Sequence, residues 1–488
     1  MAKYDYNVVV IGAGSAGLVT SYIVAAAKGK VALIERHKMG GDCLNTGCVP
    51  SKAIIRSATF MRDIKRAESL GFKARAVNWE NRGEYFNFAD VMERVQRVVK
   101  TVEPHDSVER FSGLGVECVS GNASIKSPNE VEVDGKIYRA RSIVVAAGAR
   151  PFVPPIKGLD KVEYRTSDTI WEIREQPRRL MVVGGGPIGS ELAQTFAYLG
   201  SEVTQIEGGP RIMAREDEDA SAIVMEHFRE AGVNIRCNSQ AREVVVENGE
   251  KMMVVADKNG GETHKIPFDL LLLAVGRKPN GDAVPGLSEV GVKVSDRGVI
   301  GVNEKLQTAV PNIFACGDII GSYQFTHTAG HAAYYAAMNS LFWPMLKVDW
   351  SVVPWCTFTH PEVARVGLNE QEAKQRNVEY EMTKYGIDDL DRAIADEEAE
   401  GFVKLLTAPG GGRLLGATIV GDHAGDLLHE YVLAMRKKLT VKDVLGTIHI
   451  YPTLAEANKF AAGEWQKAHI PPLAVSLGEK LGRFLRGG

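Results

Sequence analysis

The 488-residue chain has little of what marks several large protein classes. Its six cysteines, at 43, 48, 118, 237, 316 and 356, are too few and too scattered for the disulfide framework of a secreted scaffold. No apolar run reaches the roughly 18–20 residues that a membrane-spanning helix needs. A formal net charge of -3 gives no reason to expect nucleic acid or an acidic partner. The first strand signal begins at Tyr6, so no signal or transit peptide is expected, and the chain reads as soluble and cytoplasmic. A hydrophobic content of 45% over this length supports three domains, each with a core of its own.

Two of the cysteines stand close together within residues 39–52, which read Met-Gly-Gly-Asp-Cys-Leu-Asn-Thr-Gly-Cys-Val-Pro-Ser-Lys. A helical run over 53–67 follows, which puts Cys48 at or near a helix start. There the unpaired amide hydrogens and the helix dipole stabilise a thiolate. Cys43 and Cys48 so placed suggest electron transfer through a dithiol/disulfide. The alternative is half of a metal site. Zinc sites usually show two pairs at shorter spacing, and the sequence holds no second pair, so no resident metal is expected.

Just upstream, the apolar run 6–11 predicts a strand buried on both faces, and Gly12, Gly14 and Gly17 follow it. A helix to about Lys28 comes next, then a strand over 31–34 that ends at Glu35. Here Gly12 permits a tight bend, Gly14 lets backbone approach a pyrophosphate and Gly17 allows close helix–strand packing. An acid at the end of the second strand accepts ribose hydroxyls. The same unit recurs in a strand over 180–183, Gly184, Gly186 and Gly189, a helix over 190–199 and a strand over 202–206 ending at Glu207. Gly12 and Glu35 have the same separation as Gly184 and Glu207. Two such folds imply two nucleotides, most simply a flavin and a nicotinamide dinucleotide.

Between the repeats, 143–149 reads as a strand reaching the first site, and 270–275 followed by 276–280 makes a second such exit. Residues 312–318 read as a short strand whose Gly-Asp turn places Asp318 where a cofactor hydroxyl can be gripped. From about Val352 no nucleotide fingerprint remains. Strands are expected over 355–358, 402–406 and 415–420, and a helix over 426–437. His449, Tyr451, Thr453 and Glu456 lead into a further helix, with Thr453 and Glu456 spaced as a capping box. In the tail, 471–488, five apolar residues fall at helical spacing beside Lys480, Arg483 and Arg486. Surface contact with a membrane is one use of such a segment. Gly478 and Gly482 weaken the helix, and docking on the protein's own body is the favoured expectation.

Together these motifs resemble the flavoprotein pyridine nucleotide–disulfide oxidoreductases, the group of dihydrolipoamide dehydrogenase, glutathione reductase and mercuric reductase. The resemblance runs to about residue 470. It rests on the two glycine turns with their acids, Gly-Gly-Asp-Cys43 to Lys52, 274–280, Cys316-Gly-Asp318 and Tyr451 to Glu456. It implies an α/β chain with two Rossmann-like dinucleotide-binding domains plus a C-terminal α+β dimerisation domain. FAD binding falls to 1–152 and 281–348, NAD(P) binding to 153–280 and the interface to 349–470. FAD is expected on Gly12, Gly14, Gly17, Glu35, Gly41, Lys52, Gly148 and Asp318. NAD(P)H is expected on Gly184, Gly186, Gly189, Glu207 and Gly276. The resemblance further implies that hydride passes from nicotinamide to flavin and on to a Cys43–Cys48 disulfide. Cys48 is then the thiolate against the flavin, Cys43 the thiol that attacks substrate, and Lys52 a charge beside the ring paired with Glu191. A homodimer would bring an acid–base pair into its partner's site. Glu207 suits NAD and repels the 2′-phosphate of NADP; Arg211 and Arg215 downstream would offset this, and NADH is favoured.

One departure bears on the acceptor. Disulfide reductases of this group carry a histidine immediately before Pro-Thr, where this chain has Tyr451, with Glu456 retained. A phenol of ordinary pKa, near 10, is about one part in a thousand ionised at pH 7 and makes a poor resting base. His449, two residues earlier on an extended segment, faces the same way and is a possible substitute. Tyrosine near this point is similar to mercuric reductase. The cysteine pairs that such enzymes carry in an N-terminal extension and at the C-terminus are not in this sequence, nor is the C-terminal redox pair of large thioredoxin reductases. Asp42 and Ala147 stand where many relatives have threonine. The expected acceptor is a thiol-bound metal or other soft electrophile. A dihydrolipoamide dehydrogenase is the runner-up, a quinone a third acceptor, and a low-turnover flavin redox sensor or complex subunit the reading from a different class.

Overall fold

A computed structural model describes residues 4–72, 86–258 and 261–487. The chain forms two compact units, Met1–Ile212 with Ala231–Asp349, and Met213–Glu230 with Trp350–Gly488. The fold is mixed α/β, with the α+β part at the C-terminal end.

The first unit is built on two parallel sheets. In the first, strands lie in the order Val116–Ser120, Val31–Glu35, Tyr6–Ile11, Lys136–Val145 and Ile313–Ala315. A hairpin of Ala123–Ser127 and Glu130–Val133 continues antiparallel from Lys136–Val145. Val8, Val9 and Val10 are wholly buried because helices or the hairpin region cover both faces, which explains their unbroken apolar run. In the second sheet, parallel strands run Asn234–Arg236, Glu202–Ile206, Arg179–Val183, Leu270–Leu273 and Tyr164–Thr166. The two short exits, Ala149–Pro151 and Arg277–Pro279, pair antiparallel with each other. The repeat read from the sequence is thus a repeat in topology. The second nucleotide helix, Pro187–Leu199, starts earlier than expected. Pro187 occupies its first turn, where a missing amide hydrogen costs nothing.

The second unit is an antiparallel sheet in the order Pro354–Thr357, Glu362–Gly367, Leu414–Gly421, Phe402–Thr407 and Glu381–Gly386. Its core gathers Leu405, Ile419, Tyr431 and Trp465, with Glu456–Ala468 as the main covering helix. The helix expected over 426–437 is broken into Ala424–Leu427 and His429–Arg436. His429 turns its ring Nδ1 onto the Gly425 carbonyl, 3.0 Å away, the acceptor that a continuous helix would use. The expected docking of the tail is not seen. Pro472–Leu485 is helical despite its two glycines, and none of its residues is buried.

Residues 213–230 fall in the middle of the segment read as the nicotinamide domain, yet they pack with the C-terminal unit. Lys404, 3% exposed, places its ammonium 3.2 Å from Asp217, 2.7 Å from Asp219 and 2.9 Å from Glu370. Beside it, Arg365 pairs with Glu216 at 3.0 Å and Glu372 at 2.9 Å and lies over the Trp355 ring. Burial raises the Asp219 and Glu370 carboxyls, but the hydrogen bonds from Lys404, and for Asp219 also from Lys384, outweigh it and leave both below the usual range. Carboxyls depressed in the folded state stabilise it above their ordinary pKa, and that stabilisation is lost as the pH falls through the depressed values. Lys404→Met should therefore lower stability by roughly 2 kcal/mol at pH 7. That is less than for a wholly buried pair, because Asp219 and Glu370 keep some water. The loss should shrink below about pH 4; urea midpoints across that range check it.

Candidate active site

The first strand ends at Ile11 and the chain turns at Gly12, whose φ of +99° is a left-handed geometry that a side chain resists. A Cβ on Gly17 would overlap the Gly12 carbonyl oxygen, so helix Ser15–Ala26 seats against the turn only because that position is bare. Gly14 has only the Gly41 Cα within 4 Å of where its Cβ would be, at 3.8 Å, so this side of the turn is open backbone. The second repeat copies this. Gly184 has φ +119°, a Cβ on Gly189 would strike the Gly184 carbonyl, and Gly186 faces open space. Gly148 and Gly276, both at positive φ, also have nothing where a Cβ would point.

The two acids are held alike. Glu35 accepts from the Ala13 amide at 2.7 Å and the His37 amide at 2.8 Å; Glu207 accepts from Gly185 at 2.6 Å and Gly209 at 2.5 Å. One amide on each oxygen fixes the carboxylate at the turn and leaves a second lone pair on each for a ribose hydroxyl. The Asp318 carboxyl makes no hydrogen bond among the described residues, and burial pushes it up to about 6. A largely buried acid without a donor suits a cofactor hydroxyl. Open backbone at both glycine turns, two anchored acids and this unsatisfied carboxyl fit a pair of dinucleotides.

Cys43 lies in the short helix Gly41–Asn45, and Cys48 is the first residue of helix Cys48–Lys65. Both are free thiols here. The Thr326 hydroxyl lies 3.3 Å from the Cys48 sulfur. The Cys48 thiol is lowered to about 6, first by the hydrogen bond from Cys43 and further by Thr326 and the charge of Lys52. The hydrogen bond to Cys48, joined by burial, raises Cys43. One proton is thus kept on Cys43 and one negative charge on Cys48. One helical turn further, Lys52 reaches Glu191 at 2.8 Å. Glu191 is 7% exposed on helix Pro187–Leu199, so this pair joins the redox helix to the second repeat.

The remaining residues lie in the other unit. Tyr451, 66% exposed, donates its hydroxyl to Asp391 at 2.8 Å, and that bond pushes the phenol above its ordinary value. Glu456 is buried and does not hydrogen-bond Tyr451; its carboxylate accepts from the Thr453 amide at 3.4 Å. Only half of the expected capping box forms, since the Thr453 hydroxyl donates to the Ile450 carbonyl instead. His449 does not share the exposure of Tyr451. Its side chain is 5% exposed, Nε2 lies 3.1 Å from Glu430 and Nδ1 lies 3.0 Å from the Thr447 carbonyl. With an acceptor at each ring nitrogen, neither is free for a substrate thiol. The sequence reading missed Thr326, Asp391 and the role of Arg277. That guanidinium ion-pairs with Asp42 and with Asp168 at 3.2 Å, and donates to the Ala149 carbonyl at 2.8 Å. The Asp-for-threonine departure at 42 was the available signal for this last contact.

A family model described as pyridine nucleotide-disulphide oxidoreductase matches residues 6–333, and the dimerisation domain of the same family matches 353–462. The chain belongs to the pyridine nucleotide-disulphide oxidoreductases. It is therefore an enzyme of a group that uses FAD and NAD(P)H. It is 34% identical over 465 residues to a mercuric reductase of Bacillus cereus, covering 95% of this chain and 72% of that one. It is also 34% identical over 464 residues to a dihydrolipoyl dehydrogenase of Geobacillus stearothermophilus, covering 94% and 96%. Among solved structures, the flavoprotein disulfide reductase RclA of Escherichia coli superposes with a TM-score of 0.82 at 24% identity, covering 95% of this chain and 99% of that one. LpdA of Mycobacterium tuberculosis gives 0.83 at 24%, covering 93% and 98%. These two share the fold of this oxidoreductase.

Two outcomes follow from the geometry. In the reduced holoenzyme, alkylation of Cys48 by iodoacetamide should rise with a midpoint near pH 6, where an ordinary thiol needs about 8.5. Thr326→Val should move the midpoint upward, and a wild-type midpoint near 8.5 would remove the thiolate assignment. Gly186→Ala should fold normally but lose NADH affinity about 10-fold or more, whereas Gly189→Ala should fail to fold. Circular dichroism and NADH titration separate the two, and unchanged affinity in Gly186→Ala would move the nicotinamide site elsewhere.

Proposed function

We propose that this oxidoreductase works as a cytoplasmic homodimer, takes electrons from NADH and passes them through Cys43 and Cys48 to a thiol-bound soft metal ion or a similar soft electrophile. The observation that carries the choice of acceptor is the state of Tyr451. Its proton is directed at Asp391 and its pKa is raised, so at neutral pH it is neither a base nor a ready donor to a leaving thiolate. A disulfide acceptor needs such a group at the thiol it releases. A soft ion does not: a cysteine of the pair, once ionised, can take the ion from a weaker thiol ligand without general-base help.

Gly12, Gly14, Gly17, Gly41, Gly148, Glu35 and Asp318 would hold FAD, and Gly184, Gly186, Gly189, Gly276 and Glu207 the nicotinamide nucleotide. When bound, the flavin supplies two-electron exchange between the nicotinamide and the cysteine pair. Lys52 adds positive charge beside the pair, and Glu191 keeps that charge in place. Glu207 supports NADH over NADPH, because its anchored carboxylate would repel a 2′-phosphate. The dimer is supported by the dimerisation-domain match and by Ile448 and Ile450, 95% and 79% exposed beside Tyr451. A dihydrolipoamide dehydrogenase is the second reading, favoured by the retention of a buried Glu456 behind the Tyr451 turn.

The deciding experiment is a steady-state screen of lipoamide, glutathione disulfide, Hg(II)-thiolates and quinones with NADH and NADPH. Hg(II)-thiolates with NADH should give the highest kcat/KM. Tyr451→His should raise dihydrolipoamide oxidation by about 10-fold, a fraction of what a placed acid–base group supplies. If the wild type already turns over dihydrolipoamide best, and Tyr451→Phe leaves that rate unchanged, the proposed acceptor is wrong. If Cys43→Ser leaves turnover of the best acceptor intact, the cysteine relay is wrong.

A further inference from the structure

The last helix of the second unit buries none of its residues against the described part of the chain. Helix Glu456–Ala468 ends firmly, with the His469 ring stacked 4.0 Å from Trp465 and bonded to Glu381 at 3.0 Å. Pro471 and Pro472 then stop one helix and start the next. In Pro472–Leu485, Leu473, Leu477, Leu481, Phe484 and Leu485 recur at helical spacing and share one face. Each is 56–75% exposed. Lys480, Arg483 and Arg486 lie away from the middle of that face, with Glu479 the one acidic residue on the helix. The segment is thus net positive within a chain whose formal net charge is -3.

We infer that this helix lies in the plane of an anionic lipid surface, with its leucines and Phe484 sunk among the acyl chains and its basic residues among the headgroups. Fourteen helical residues span about 21 Å, short of the ~30 Å hydrocarbon layer, so the helix lies on the surface and does not cross it. Charge complementarity selects the occupant. A second copy of this net-acidic chain could cover the leucines, but the basic residues beside the apolar face are matched by a continuous layer of negative headgroups.

The test is flotation of the full-length holoenzyme with vesicles of phosphatidylcholine alone and of phosphatidylcholine mixed with phosphatidylglycerol. Partitioning should be about 30-fold stronger on the mixed vesicles, since each net positive charge near the surface contributes about 1 kcal/mol. It should weaken as salt is raised. Leu477→Glu with Phe484→Glu should abolish flotation while leaving NADH oxidation by a soluble acceptor unchanged. Lys480→Glu with Arg483→Glu should remove the preference for the mixed vesicles. Flotation that is absent, or equal for wild type and the leucine variant, overturns the inference. A smaller solution mass for Leu477→Glu by light scattering also overturns it, and assigns the face to contact between copies. Flavin content and circular dichroism keep misfolding apart from lost binding.

Discussion

The ion pair between Lys52 and Glu191 is the contact on which the candidate site depends. Each residue sits on a helix that starts at a chemically important turn: Lys52 one turn past Cys48, Glu191 just past Gly189. A carboxylate that is 7% exposed must have a cation beside it, and Lys52 supplies one at 2.8 Å. The pair therefore fixes how the redox helix faces the second nucleotide fold. It also keeps the positive charge of Lys52 close enough to favour a Cys48 thiolate. Had Glu191 been an exposed helix residue, that charge would have been free to swing into water.

The two glycine turns show how a repeat survives in detail when its sequence has drifted. Gly-Ala-Gly-Ser-Ala-Gly and Gly-Gly-Gly-Pro-Ile-Gly differ at every position that is not a glycine. Both still bend at a left-handed first glycine, both seat their helix on a bare sixth residue, and both tie the downstream acid to the amide after the bend. The constraint is backbone proximity, which only glycine satisfies, plus one carboxylate at a set distance along the chain.

That is why these parts could be read from the sequence and others could not. Strands buried on both faces, turn glycines and strand-end acids leave local signals, and so does Cys48 at a helix start. Thr326 meets Cys48 from 278 residues away, and no local pattern announces such an encounter. Asp391 meeting Tyr451 from 60 residues away is of the same kind. His449 and Tyr451 share the parity that puts alternate residues on one side of an extended strand. The segment between Val441–Leu445 and Glu456–Ala468 forms no strand, and the two side chains part, one to Glu430 and the other to the surface. In the tail, two glycines at about 1 kcal/mol each weaken the helix without stopping it from forming, and its apolar residues stay exposed where docking was expected.

The placement of residues 213–230 bears on modularity. Lys404 and Arg365 are buried cations of the C-terminal unit, yet Asp217, Asp219 and Glu216, which neutralise them, are spelled out more than a hundred residues earlier. A fragment beginning at Trp350 would inherit the cations without those counter-ions, and a swap of 153–280 between relatives would carry the counter-ions away. The C-terminal sheet is contiguous in sequence but not autonomous in charge. Gene fusion, truncation and domain exchange in this chain would have to respect an electrostatic seam that linear domain boundaries do not mark.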